Sequence, residues 1–482
     1  MEDLEVTINL PNLKLNIPEN RINFHTLERM VFDLTRKIGQ EILEEILQMI
    51  DDKLMTERER GKLFNQGKRL RYMTTLLGDI TFSKRLYQER GGKYSYLLDE
   101  KLGLAKNQRV SKAYQKIEGL MAFVSGSYRK AEGLIREFYG DSPSFESIRG
   151  GVIRQGKKIL KEEKEEIDKE LIRALGQTDD KLTKEAGERI VYLEVDGTNI
   201  HLQKEEKKKG ELKLGIISKG KERRYKQGKG EAKKLQDKFT YAGITSGDEF
   251  MANLSILGEK RFNLSQAELI LIGGDGASWV KEGAKNYFPN SVYQLDKFHL
   301  ESKIKKTLPY HKKMQKRVRI LLKEEQIGKA LKELQYERNL RPKHQKDIEG
   351  LIHYICSNQE GLNAVDRLRK QGLPVEDLGA VEGNIDKSLA NRFKKRGMRW
   401  CIPGALSLAK VGEKIINNEW DGWWSKEITQ LEPDGMKLEK VFSLDFDKGD
   451  KYDQTYSLPV LSGPHQDRPW VKSLKRLLSV DY

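Results

Sequence analysis

The sequence predicts a multidomain α+β protein, a helical N-terminal region followed by a mixed β-sheet core carrying helices. Three observations carry that expectation. Apolar residues recur at three- and four-residue steps through much of the N-terminal part, whereas from Ile190 onward β-branched, strand-like runs alternate with helical segments. A chain of 482 residues is also long enough for two to four domains and a large core.

Residues 1–70 read as a helical, oligomerisation-type region in which Thr26 caps a long helix with Leu27, Val31, Leu34, Ile38, Ile42, Ile46 and Ile50 on one stripe. So narrow an apolar stripe must pack on the same domain or on a second copy. Residues 71–109 change period: Ile80, Phe82 and Tyr87 lie in strand-like runs, with Arg90-Gly91-Gly92 as the turn of an expected β-hairpin. Residues 110–188 return to helix. Within "SGSYRKAEGLIREFYGDSPSFESIRGGVIRQGKK" a turn at Gly140 to Pro143 separates two helices, an arrangement that suits a helix-turn-helix offering Arg149 and Arg154 to a major groove. A plain helical hairpin with basic edges has the same pattern. "KEEKEEIDKELIRAL", Lys161 to Leu175, reads as a solvated charged helix ahead of a boundary near Gln177 to Glu188.

Beyond it, "RIVYLEVDGTNIHL" and "ELKLGIISKG" read as antiparallel neighbours across the turn "KEEKKKG", and lysine-rich "KGKERRYKQGKGEAKK" as a phosphate-facing loop. No Gly-Lys-Ser/Thr follows its glycines, so it is no nucleotide-binding P-loop. Two more strand-like runs, "AELILIGGDGASWV" and "NSVYQLDKFHLES", precede a basic helical stretch over residues 301–374. The core therefore comprises residues 189–300 and 375–415, with 301–374 as a helical insertion and 416–482 as a C-terminal region. Trp279, Trp400 and the cluster "NEWDGWWSKE" read as packing residues, the cluster alternatively as partner surface.

The charge balance narrows the partners. Lys and Arg number 89 against 73 Asp and Glu, a net charge of +16, and mean hydropathy is −0.69. Such a surplus fits nucleic acid, whose phosphates release condensed counterions to lysine and arginine, although it also merely keeps a basic protein dispersed. Two cysteines, Cys356 and Cys401, exclude a disulfide framework and point to a reducing compartment. His353 and Cys356 have ligand-like spacing, but no second pair stands nearby and a helix face explains them. No apolar stretch reaches membrane-spanning length and "MEDLEV" is no signal peptide, so an intracellular, soluble protein without a membrane partner is expected.

Asp196 in "EVDGTN" and Asp275 in "GGDGAS" each end or interrupt an apolar run and precede glycine. Either alone suits a turn or a cap. On adjacent strands, however, the two carboxylates emerge side by side, where like charges are costly unless a cation lies between them, and oxygen ligands suit magnesium. A third acid is then needed from another element. Glu382 in "GAVEGNIDKSLANRFKKRGMRW" is favoured, flanked by apolar Val381, with Asp386 one helical turn later on the same face. Two ions about 4 Å apart clamp a scissile phosphate. Arg392, Lys394, Lys395 and Arg396 would hold the DNA backbone beside them, and Gly274 and Gly276 leave room for metal and backbone to approach.

The succession "LEVDGTNI", "IGGDGASW", "LDKFHLES" and "VEGNIDKSLANRFKKRGMRW" resembles the DDE transposases of bacterial insertion sequences, most closely the ISLre family of the Mutator-like group. The resemblance spans roughly Ile190 to Trp400 and continues in "SGPHQDRPWVKSL". It implies an N-terminal helical DNA-binding region and an RNase H-like catalytic core interrupted by the helical insertion. The family's catalytic, metal-binding acids fall on Asp196, Asp275 and Glu382, and its Asp-x-x-His motif on Asp296 and His299, auxiliary residues facing a phosphate or a metal ligand. The implied cofactor is Mg²⁺, two ions per site, with Mn²⁺ substituting. Double-stranded DNA, both terminal inverted repeats and target, and a homo-oligomer are the implied partners, at the bacterial nucleoid in the cytoplasm. Two rival readings accompany it: a structure-selective nuclease that never joins strands, and a silent, transposase-derived regulator.

Overall fold

The computed structural model describes residues 23–140, 142–176, 189–203, 205–227, 230–379, 389, 391–394 and 397–426. Helix α1 (Phe24–Glu57) is capped three residues before the expected cap, because the Asn23 side chain accepts the Thr26 N–H. Its apolar stripe is used only at its C-terminal half, where Leu43, Leu47, Ile50 and Leu54 pack with Met73, Ile80, Phe82 and Leu98; Phe24, Val31 and Phe32 stay exposed. The hairpin joins β1 (Leu63–Thr75) to β2 (Gly78–Glu89) through Leu76 and Leu77, and the turn at Arg90 to Gly92 leads only to the short β3 (Tyr94–Ser95). β1 thus begins inside the stretch read as helical. Its first eight residues are solvated on both faces, so no alternation marks them in sequence. Helix α2 (Leu97–Lys101) supplies Asp99, on which the buried Arg71 and Lys84 converge.

Helices α3 (Lys112–Val124) and α4 (Tyr128–Tyr139) are capped by Ser111 and Ser127, and Gly140, at φ +80°, closes α4. α5 (Phe145–Gly176) then runs unbroken through the charged stretch that reads as a separate helix. Its first turns are structural: Ile148, Val152 and Ile159 are buried, and a Cβ on Gly156 would stand 2.3 Å from Ser407 Cα. One face of the second helix of the expected helix-turn-helix is therefore part of the core.

The main sheet takes β4 (Ile190–His201) as its centre. β5 (Lys209–Ser218) pairs antiparallel with it; β6 (Gly220–Gln227) and β7 (Gly230–Gln236) form a separate antiparallel ribbon; β8 (Phe239–Gly243) then returns beside β5. The stretch read as a loop is that ribbon. α6 (Gly247–Phe262) covers one face, β9 (Leu269–Gly274) pairs parallel with β4, and after α7 (Ser278–Tyr287) β10 (Ser291–Leu295) pairs parallel with β9. The order is β10-β9-β4-β5-β8. Val191, Leu193 and Val195 face the core under α6 and α7, leaving the alternate residues Tyr192, Glu194 and Asp196 on the other face.

Helices α8 (Lys297–Thr307), α9 (Lys312–Lys323), α10 (Ile327–Leu340) and α11 (Gln345–Ser357) share a core of their own, with α12 (Ala364–Lys370) returning the chain to the sheet. After α13 (Asn391–Lys394), α14 (Ile402–Ile416) packs along α5, and α15 (Trp420–Ser425) buries Trp420, Trp423 and Trp424. The tryptophan cluster is packing. Among the described residues no helix is long and apolar enough to cross a membrane.

Candidate active site

Three aspartates reach the same level on three neighbouring strands. In the parallel registers Glu194 stands beside Gly273, and Gly274 beside Leu295. Continuing along each strand by a residue or two brings Asp196 on β4, Asp275 after β9 and Asp296 after β10 into one row, with neighbouring strands about 4.8 Å apart. A cavity of about 210 Å³ opens over them, lined also by Glu194, His299 and Asp377.

Local chemistry explains each position. Asp196 Oδ1 accepts its neighbour Gly197 N–H at 2.8 Å. Asp275 makes a turn by accepting Ala277 N–H at 2.9 Å, and the Tyr354 hydroxyl donates to its carbonyl at 2.7 Å. Asp296 caps α8, accepting Phe298 N–H at 2.8 Å, while its other oxygen meets His299 Nδ1 at 2.9 Å. The glycines do not leave room for a ligand. Gly276 adopts φ +96°, where a Cβ would meet Tyr354 at 2.9 Å, and a Cβ on Gly274 would meet Val280 at 2.9 Å, so both serve the protein's own packing.

The charges are strongly coupled. Burial, the largest influence, pushes the Asp196 carboxyl above its ordinary range; His299 and Lys394 oppose the rise and the charge of Asp275 adds to it. Burial acts the same way on Asp296, but the His299 hydrogen bond and the α8 backbone outweigh it and hold that carboxyl low. The hydrogen bond to Asp296 raises the His299 pKa, burial opposes this, and the charges of Asp296, Asp196 and Asp275 add to the rise.

Of the other expected residues, Glu382, its alternative Asp386, Lys395 and Arg396 lie outside the described residues. Among the described residues no three His, Cys, Asp or Glu side chains converge as a complete ion cage. Arg392 is not a backbone clamp: it is 3% exposed, donates from Nε to Ala122 O at 3.1 Å, and lies over the Tyr128 and Trp400 rings. It ties α13 to α3. Lys394 is exposed and near enough to act on Asp196. Arg149 and Arg154 are exposed on α5, Arg149 beside Cys401 Sγ at 3.5 Å and Arg154 near enough to influence buried Glu118. Trp279 packs edge-on against Phe250, and Trp400 is buried with Nε1 bonded to Phe393 O.

Sequence reasoning missed Glu194. It lies two residues before Asp196, hence on the same face, and that spacing in "LEVDG" was the available signal. Its Oε2 accepts the Gly379 N–H at 2.9 Å, while the Tyr192 hydroxyl accepts the Glu376 N–H at 3.0 Å. These bonds fasten residues 376–379 along β4, beside the aspartate row.

The profile of an uncharacterised protein family, UPF0236, matches residues 17–423. A UPF0236 protein of Caldanaerobacter subterraneus subsp. tengcongensis is 25% identical over 414 residues, covering 85% of this chain and 81% of the relative. One described as a UPF0236 protein in the vanSb 3′ region, from Streptococcus gallolyticus, is 23% identical over 396 residues, covering 79% of this chain and 80% of the relative. Among solved structures the chain is similar to the Drosophila P element transposase strand transfer complex, at 11% identity and a TM-score of 0.23 over 69% of this chain and 84% of that one.

Proposed function

The chain belongs to the UPF0236 family, and we propose that it is a DNA transposase, a metal-dependent enzyme that hydrolyses phosphodiester bonds at terminal inverted repeats and transfers the 3′-hydroxyl into target DNA. The observation that carries this reading is the row of Asp196, Asp275 and Asp296 across β4, β9 and β10. In this reading the sheet is an RNase H-like core, in which the central β4 continues on one side into the antiparallel meander of β5 and β8 and has on the other the parallel β9 and β10, and α8 to α12 are its insertion. The role is argued from the site, because such a fold alone serves many chemistries.

The donor set fits a hard divalent cation. Asp196 and Asp275 offer only oxygens, and their mutual repulsion contributes to the raised Asp196 pKa. They would hold Mg²⁺, or Mn²⁺ in its place, with Glu382 as the third acid of a two-ion site and Asp386 as its alternative. When bound, the metal supplies Lewis acidity toward the attacking oxygen and the leaving oxygen of the phosphodiester. The protein's own groups bind and orient. His299, held by Asp296, would hydrogen-bond a phosphate, and Lys394 adds an exposed cation. The Glu194 to Gly379 bond holds residue 379 beside the row. Arg149 and Arg154 would contact repeat DNA, and the exposed half of α1 would join copies that hold paired ends together.

The test is incubation of the purified chain with Mg²⁺ or Mn²⁺ and duplex DNA ending in the repeats that flank its gene. Cleavage that leaves a 3′-hydroxyl, followed by joining to a target plasmid and lost in Asp275→Ala, is expected. Cutting without joining would favour the nuclease reading. No cutting, or equal cutting by the variant, would sink the enzymatic assignment.

A further inference from the structure

Between β5 and β8 the chain leaves the main sheet for a basic excursion. Residues 219–238 hold nine Lys and Arg against three Asp and Glu, a density of positive charge that no core element would carry. Among the described residues β6 and β7 pair only with each other. Eight residues of strand extend about 26 Å, and a two-stranded ribbon fits the roughly 12 Å width of a B-form major groove.

The ribbon's root is fixed and its length is charged. Gly220 turns the chain at φ +123°, the Lys221 N–H donates to Glu376 Oε2 at 2.8 Å, and the Lys221 ammonium donates to the Asp377 carbonyl. Asp377 lines the aspartate cavity, so the root is bonded to the wall of that cavity. Along the ribbon, Lys234 pairs with Glu222 at 2.9 Å, which helps to hold the two strands in register, and Lys226 occupies the position opposite Glu231. Arg223, however, stands opposite Lys233. Like charges at facing positions weaken a strand pair, and a polyanion laid along the ribbon removes that cost.

We propose that the β6–β7 ribbon is a docking element for double-stranded DNA that enters the major groove next to the aspartate cavity. This deepens the transposase reading, on which it rests for DNA as the partner. The groove orients the duplex relative to Asp196 and Asp275 through phosphate contacts from the ribbon's lysines and arginines, which serve any sequence.

The experiment measures binding of the full chain, without divalent metal, to a short B-form duplex of arbitrary sequence across a salt series. Lys226→Ala/Lys233→Ala/Lys234→Ala is expected to bind at least about tenfold more weakly and to lower the slope of log affinity against log salt by about 3, close to one for each phosphate that no longer meets a lysine. The matching triple arginine variant should restore both and exclude misfolding as the cause. A duplex whose major groove is filled by glucosylated hydroxymethylcytosine should bind the wild type as weakly as plain duplex binds the alanine variant, whereas netropsin in the minor groove should change little. Unchanged affinity and slope in the alanine variant, or full binding of the groove-filled duplex, overturns the proposal. Binding is read without divalent metal and cleavage separately with it, so a failed cleavage assay and a failed ribbon are told apart.

Discussion

Two clusters of acids in this protein meet the same electrostatic problem and answer it differently. Between α5 and α14, Glu163 and Glu413 converge on the fully buried Lys410, whose Nζ lies 2.6 and 2.9 Å from them, and Glu413 also accepts the Ala242 N–H. Burial alone would lower the Lys410 pKa, but its two carboxylates outweigh that and raise it. On the sheet, Asp196 within β4 and Asp275 just past β9 stand on adjacent strands, and among the described residues neither forms an ion pair with a lysine or arginine. The first cluster is closed by a lysine the chain supplies. In the second, Lys394 and His299 act on Asp196 only through their charge, and the two clusters differ in how closely a cation is held.

The largest expected effect falls on the open cluster. Asp275→Ala should lower Mg²⁺-dependent cleavage by about a thousandfold or more, roughly 4 kcal/mol of activation free energy, and gel assays of repeat-ended duplex would read it. On the closed cluster, Lys410→Met leaves two buried acids without their cation and should destabilise the fold by about 3–5 kcal/mol, seen as a fall in the urea midpoint. Equal stability would mean that the lysine is not what makes the cluster tolerable. Mg²⁺ itself should separate the two. At about a hundred times its Kd it should stabilise the wild type by about 2.7 kcal/mol, with no gain in Asp196→Asn and an undiminished gain in Lys410→Arg.

A third buried acid, Glu118 on α3, sharpens the contrast with the smallest effect. Burial pushes its pKa from 4.5 up to about 7, with the more distant Arg154 opposing. The folded protein then binds more protons than the unfolded chain between those values. Its stabilising contribution is therefore full below about 4.5 and is lost as pH rises through about 7. Glu118→Gln should gain about 1–2 kcal/mol over wild type at pH 8 and nothing at pH 4, as thermal melts at both pH values would show.

Much of the candidate site was legible because each acid ends a recognisable run. Asp196, Asp275 and Asp296 follow β-branched or apolar segments, and Asp296 with His299 spans one turn of helix, so the acids were marked locally, although β4 runs on past Asp196 to His201. What failed did so for physical reasons. Arg392 sits in a basic stretch, yet its guanidinium packs on two aromatic rings, and no local pattern separates a buried cation–π contact from a phosphate clamp. α5 packs one face in the core through Gly156 against Ser407, visible only once α14 lies beside it, while Arg149 and Arg154 stay exposed on the other. The β6–β7 ribbon looked like a loop because neither of its faces is apolar.

By itself the sequence determined the alternation of helix and strand, the basic excursion and the acids that follow each apolar run, since all of these follow from composition and period within a few residues. Whether the acids meet was decided by the parallel registers of β4, β9 and β10, hydrogen-bonded between segments far apart in the chain. A shift of one residue in either register would have turned an aspartate to the opposite face.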